Sequence, residues 1–175
     1  MLQNLFRART PDRIGLSLYS TAVDKARDPA FYTALGVKDE IDARFELYTL
    51  HVLLLILRLR DEGERGAEMA QELFDTYVSA LDNALRELGV HDVTMAKKMR
   101  KLGEALYGRM TAYEGPIRSA DHQALAGALA RNVYEGADVE TAMALVDYAL
   151  RTRAGLGLQS LDQVVAKPAW VEVVA

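Results

Sequence analysis

The chain has 175 residues, 50% of them hydrophobic and 26% charged, with a formal net charge of -4. A chain of this length forms one domain with a sizeable core, and its acidic balance argues against a general nucleic-acid binder, whose footprint is strongly basic. It contains no cysteine, which excludes a disulfide scaffold, a thiol nucleophile and any thiolate metal site.

The opening "MLQNLFRART" places Leu2, Leu5 and Phe6 ahead of Arg7 and Arg9. That apolar stretch is too short for a secretory signal, and residues 1–9 read as a flexible terminus rather than a membrane-surface turn. Thr10-Pro11-Asp12 is a helix start, with a capping hydroxyl, a proline at the first helical position and an acid near the positive end of the dipole. The helix it opens is expected to reach about Arg27. Asp28-Pro29 repeats the signal for a short second helix, which Gly36 stops as a left-handed cap. A third helix is expected from Asp39 to about Arg60 and a fourth from Glu64 to Leu88, ending at Gly89. Thr94 caps a fifth, which fades before Gly115-Pro116. Ser119 and Asp138 cap two more, ending near Tyr134 and Arg153. "WVEVV" near the end is the one β-like stretch. The pattern predicts an all-α fold: one compact domain over residues 10–165, of six or seven helices, with 166–175 as a tail.

The third helix is the expected centre. Ile41, Phe45, Tyr48, Val52, Ile56 and Leu59 form one apolar stripe, and Leu50, Leu53, Leu54 and Leu57 fill much of the remaining circumference. A helix apolar nearly all round is enclosed by others. Its greasiest run, Leu50 to Leu59, is about half the ~20 residues that span a bilayer and is read as core. Arg44, His51 and Arg58 leave one narrow polar line. It reads either as a basic groove or as an edge where the arginines reach water and His51 finds a local partner.

The fifth helix has two faces. Met95, Met99, Leu102, Leu106, Met110 and Tyr113 fall within about an 80° arc at 100° per residue, which predicts a core-facing stripe. The opposite side carries Lys97, Arg100, Lys101 and Gly108, with Lys98 and Arg109 on a flank. Gly108 lies beside alanines and flattens this face, whereas Gly103 could mark a tight crossing. The preceding helix is acidic: Asp61 to Asp92 includes Glu64, Glu68, Glu72, Asp75 and Asp82 against only Arg65 and Arg86. An acidic helix followed by a basic one orients a charged partner.

Catalytic signatures are missing. There is no G-x-S-x-G, no H-E-x-x-H and no Glu-x-x-His pair. His51, His91 and His122 fall on different elements, and "GLGL" at Gly155 follows a helix, which a dinucleotide fingerprint does not do. The chain reads as neither an enzyme nor a cofactor or metal binder.

Three blocks carry a family resemblance: "LYSTAVDKARDPAFYTALGV" (18–37), "DARFELYTLHVLLLILRL" (42–59) and "MAKKMRKLGEALYGRMTAY" (95–113), with "ALARNVY" (128–134) in support. Together they resemble the ubiquinol–cytochrome c chaperone family. Lys38, Ala43 and Ala96 depart from it, standing where a proline, a glycine and a proline are expected. The resemblance implies a non-enzymatic assembly factor for the cytochrome bc complex (respiratory complex III) that binds newly made cytochrome b at the inner membrane. In mitochondria the family is associated with a small companion protein and with the ribosome. A cytoplasmic or peripheral inner-membrane location follows for a bacterial member, without a signal peptide or transmembrane helix.

On this reading the fifth helix is a docking face for a membrane-protein client, or for ribosomal RNA and anionic lipid beside it. Its expected partner-binding residues are Lys97, Lys98, Arg100, Lys101, Gly108 and Arg109. Arg44, Glu46 and His51, in the family's "RFE…LH" block, are a weaker second set. The rival reading is a nucleic-acid-binding or ribosome-associated regulator using helix 95–113. It lacks Asn or Gln there to read bases, and the net charge disfavours specific DNA binding.

Overall fold

The computed structural model describes residues 10–87 and 92–174, with side chains described for 14–87 and 101–174. Among them lie eight helices and no strand: α1 (Thr10–Ala26), α2 (Pro29–Thr33), α3 (Ile41–Arg60), α4 (Gly63–Glu87), α5 (Asp92–Ser119), α6 (His122–Asn132), α7 (Val139–Gly157) and α8 (Leu161–Ala166). The expected terminus 1–9, the stop at Gly89 and His91 fall outside the described residues.

The local signals act as their chemistry predicts at several joints. Asp28 caps α2 by accepting from the Ala30 backbone N–H at 3.0 Å, and Pro29 follows in the first turn. Gly36 takes φ +66°, a conformation that costs little without a Cβ. Asp39 opens no helix; it lies ahead of α3 and pairs with Arg44, while the extended Glu40 precedes the first turn without a side-chain cap.

The core forms around α3. Thr49 to Leu59 are buried without a break, because α1 and α4 cover one side of the helix while α5 and α7 cover the other. Helix α6 lies against α5 and α7. Two close approaches set this arrangement. A Cβ at Gly15 would stand 2.8 Å from the Glu72 carbonyl oxygen, so α1 crosses α4 almost backbone to backbone. Gly66 is tighter still: after the short turn at Asp61–Glu62, a Cβ there would meet the Leu59 carbonyl oxygen at 1.9 Å.

The structure corrects several boundaries. Helix α5 does not fade before Gly115-Pro116 but continues through it to Ser119. Proline in a helix interior costs about 3 kcal/mol. Here Tyr113 and Ile117 are both buried beside it, and each such side chain returns about 1.5–3 kcal/mol. Ser119 is therefore inside a helix, and the cap of α6 is Asp121, which accepts from Ala124 N–H at 2.9 Å. Helix α6 stops at Asn132, short of Tyr134, and Glu135 and Gly136 turn the chain at positive φ. Helix α7 runs on to Gly157, past Arg153.

Helix α8 was not expected. Its signal is a capping box: the Ser160 hydroxyl accepts from Gln163 N–H, and the Gln163 side chain accepts from Ser160 N–H. "WVEVV" forms no strand. It is extended chain lying on the bundle, with Trp170, Val171 and Val173 packed on the core. The Gln159 amide holds it there by bonding both the carbonyl oxygen and the N–H of Ala169, at 2.9 and 2.8 Å.

The glycines give a paired prediction. Gly66→Ala should destabilise the fold by about 1–3 kcal/mol, because its Cβ collides with backbone. Gly103→Ala, with nothing within 4 Å of its Cβ, should be neutral or gain up to ~1 kcal/mol of helix propensity. Urea unfolding of both variants checks the contrast.

Candidate functional site

Two residues from the separate expected partner-binding sets meet each other. Glu46 on α3 is only 2% exposed. Arg109 on α5 donates from Nε to its Oε1 at 2.5 Å, and the Tyr113 hydroxyl lies 3.4 Å from the other oxygen. The guanidinium also sits 5.7 Å from the centre of the Phe45 ring. Burial pushes the Glu46 carboxyl above its ordinary value, while the Arg109 and Tyr113 hydrogen bonds pull it back. A carboxylate this deep is tolerable only with such partners. Arg109, 28% exposed, is thus committed inward. It belongs to the joint between α3 and α5 rather than to a free cationic face.

The line Arg44, His51, Arg58 is not a groove. Arg44 is exposed and bonded to Asp39, its Nε 2.7 Å from Oδ1. His51 is fully buried, with Nδ1 2.8 Å from the Leu47 carbonyl oxygen and Nε2 2.8 Å from the Tyr148 hydroxyl. Phe31, Tyr148 and Trp170 surround its ring at centroid distances of 5.3, 5.5 and 5.3 Å. Burial, helped by the nearby Lys25 charge and opposed by the Leu47 hydrogen bond and Asp28, lowers the imidazole to about 4. His51 is a neutral core residue at physiological pH, held by α7 rather than by a partner. Arg58 does not reach water either. It donates to the Leu156 and Gln159 carbonyl oxygens at 2.8 and 2.6 Å and pairs with Glu62 at 2.7 Å. It ties the end of α3 to the C-terminus of α7, where carbonyl groups lack helical partners.

The outward face of α5 keeps its expected character where it is described. Lys101 and Gly108 are exposed, and a Cβ on Gly108 would have nothing within 4 Å. Gly103 is equally open, so it marks no tight crossing. The side chains of Lys97, Lys98 and Arg100 lie outside the described residues, as do those of Met95 and Met99. Leu106 and Tyr113 are buried and Met110 packs on the core, as the stripe predicts.

The sequence reading missed the aromatic enclosure of His51. Phe31 and Tyr148 lie in other helices and Trp170 in the tail, with no spacing to link them. One signal was available: a lone tryptophan in an apolar C-terminal stretch suggests a docked tail. Among the described residues no group of three or more His, Asp or Glu is arranged to hold a metal ion.

A helical bundle enclosing α3 is a fold already seen in a solved structure. The crystal structure of the Cbp3 homolog from Brucella abortus superposes with a TM-score of 0.85 and 33% sequence identity, covering 99% of this chain and 98% of that one. The chain belongs to the ubiquinol-cytochrome C chaperone family, which it matches over residues 33–171. It is also 26% identical over 118 residues to the ubiquinol-cytochrome-c reductase complex assembly factor 1 of Xenopus laevis, covering 67% of this chain and 58% of that protein. To the Mus musculus protein of the same name it is 26% identical over 119 residues, covering 68% of this chain and 40% of that one. The chain thus spans about half the length of these curated relatives.

Two predictions follow from the buried groups. Arg109→Gln should cost about 1–3 kcal/mol near neutral pH by stranding the Glu46 carboxylate, and adding Glu46→Gln should recover part of the loss. Without Arg109 the folded carboxyl sits further above its unfolded value, so the native state binds the extra proton. The cost should therefore shrink as pH is lowered and the carboxyl takes up that proton; urea midpoints across a pH series measure it.

His51 carries the opposite sign. Between its ordinary 6.5 and about 4 the unfolded chain takes a proton that the folded chain refuses. Stability present above this window should fall as pH drops through it, by at most about 1.4 kcal/mol per unit. His51→Gln should flatten that slope relative to the wild type in the same unfolding series.

Proposed function

We propose that this protein is a non-enzymatic chaperone that binds cytochrome b, or its nascent form, and assists assembly of the cytochrome bc complex. The observation that carries the reading is the family match from α2 to the docked tail, which takes in α3 and both charged helices. The names of the vertebrate relatives, assembly factors of the ubiquinol-cytochrome-c reductase complex, support the same step. Among the described residues no helix is long and apolar enough to cross a membrane. We place the protein at the cytoplasmic surface of the inner membrane, where client segments emerge. A small companion protein and the ribosome are further partners on this reading.

The docking face we assign to it is the outer side of α5, with Lys97, Lys98, Arg100 and Lys101 attracting anionic groups and Gly108 leaving the surface flat. Arg109 is withdrawn from this set, because its guanidinium holds Glu46. Exposed Arg44 and buried Glu46 and His51 are given no direct contact with the client.

Lys97→Glu, Arg100→Glu, Lys101→Glu combined should leave melting behaviour within about 0.5 kcal/mol of wild type while abolishing co-purification of cytochrome b from native membranes. Gly108→Leu tests the flat surface without changing charge and should weaken the same association. Association unchanged in both variants would remove α5 as the client face. A gain of steep salt-dependent RNA binding in place of cytochrome b would favour the ribosome-associated reading.

A further inference from the structure

A groove runs between α4 and α5 over the C-terminal part of α3, where Ile56 and Arg60 line it. Its floor is Ile56 with Ala70, Phe74 and Met110, and its volume is about 340 Å³. At ~30 Å³ per water that is roughly eleven waters, room for two or three aliphatic side chains. On the α4 side it is lined by the small side chains of Ala67 and Ala70, and Thr111 lines it on α5. Tyr107 stands on the α5 rim, 74% exposed, one of the few large apolar side chains left in water.

The two rims differ in charge. On α5, Glu114 is paired with Arg60 at 3.6 Å and Arg118 at 3.0 Å. On α4, Glu64, Glu68 and Asp75 are all exposed and fall within about a 40° arc at 100° per residue, beside the groove-lining Gln71. Asp75 accepts one hydrogen bond from Gln71, at 2.8 Å. An acidic rim repels nucleic acid and anionic lipid and attracts cations. The described residues offer no strand edge for an extended peptide to join. A furrow between two helices with an apolar floor instead receives the apolar face of a third helix, whose anchors recur at i, i+3 or i+4, and i+7.

We propose that this groove is a docking site for an amphipathic helix of a partner protein, its apolar face seated on Ile56, Phe74 and Met110 and its flank of Lys or Arg set against Glu64, Glu68 and Asp75. Tyr107 closes over the seated helix from the α5 side. The site is separate from the outer face of α5 and opposite to it in sign. It takes a basic partner segment whatever the identity of the client.

The test uses the full chain and two fluorescent synthetic helices of about 16 residues, some four turns, with one shared Leu/Ala face and either Lys or Glu on its flanks. Fluorescence anisotropy should show saturable binding of the Lys-flanked helix, and binding of the Glu-flanked helix at least ~10-fold weaker. Ala67→Trp, which fills the groove, and Tyr107→Ser, which opens it, should each weaken binding by ~10-fold without lowering the melting temperature, since both positions are exposed. Glu64→Lys, Glu68→Lys, Asp75→Lys combined should reverse the preference between the two helices. The proposal fails if neither helix saturates, if both bind equally, or if the variants leave binding unchanged. Two other occupants would also overturn it. One is a second copy of the chain, seen as a dimer that Tyr107→Ser dissociates in sedimentation. The other is the chain's own first residues, seen as ~10-fold tighter binding once Leu5→Ser, Phe6→Ser is introduced.

Discussion

Enclosure of α3 is the constraint on which the rest of the molecule depends. A helix apolar around most of its circumference has no face to offer water, so its neighbours must surround it. Four of its polar groups are buried as well, and each needs a partner from a neighbouring helix. Thr49 lies 2.8 Å from the Tyr77 hydroxyl of α4. Glu46 takes Arg109 of α5, His51 takes Tyr148 of α7, and Arg58 takes the carbonyl groups at the end of α7. Apolar burial supplies most of the stability, and these four contacts add directional ties from α3 to α4, α5 and α7. A hydrophobic seam tolerates sliding; a buried carboxylate that must meet a guanidinium does not.

The same requirement shapes the surface. Arg109 is drawn inward by Glu46, while Lys101 of the same helix stays exposed. Helix α4 turns Met69, Leu73 and Tyr77 to the core and leaves Glu64, Glu68 and Asp75 outside. An apolar furrow lies between α4 and α5, with these carboxylates on the α4 side.

The C-terminal segment extends the enclosure. The described residues after α8 form no regular structure, yet Trp170 packs against His51, which lies more than a hundred positions earlier. Gln159 and Arg151 hold this segment through its backbone, the latter donating to the Glu172 carbonyl oxygen at 3.2 Å. The tail thus completes the wall around His51 rather than trailing from the domain.

The sequence by itself determined the all-helical class and the central place of α3, because an apolar pattern nearly all round a helix admits one reading. It also located the joints where local chemistry acts alone, such as Asp28-Pro29 and Gly36, and the two charged helices. Only the tertiary structure decided what became of individual polar residues. Nothing in the spacing of Glu46 and Arg109, or of His51, Tyr148 and Trp170, joins them; burial does, by making an unpartnered polar group too costly. Helix α5 likewise outlasted its own Gly115-Pro116 because Tyr113 and Ile117 are buried on either side of the break. Local signals are worth about 1–3 kcal/mol each and govern wherever packing is indifferent. Where a core residue is at stake, packing overrides them, and that balance is set by chain segments too far apart for any local pattern to connect.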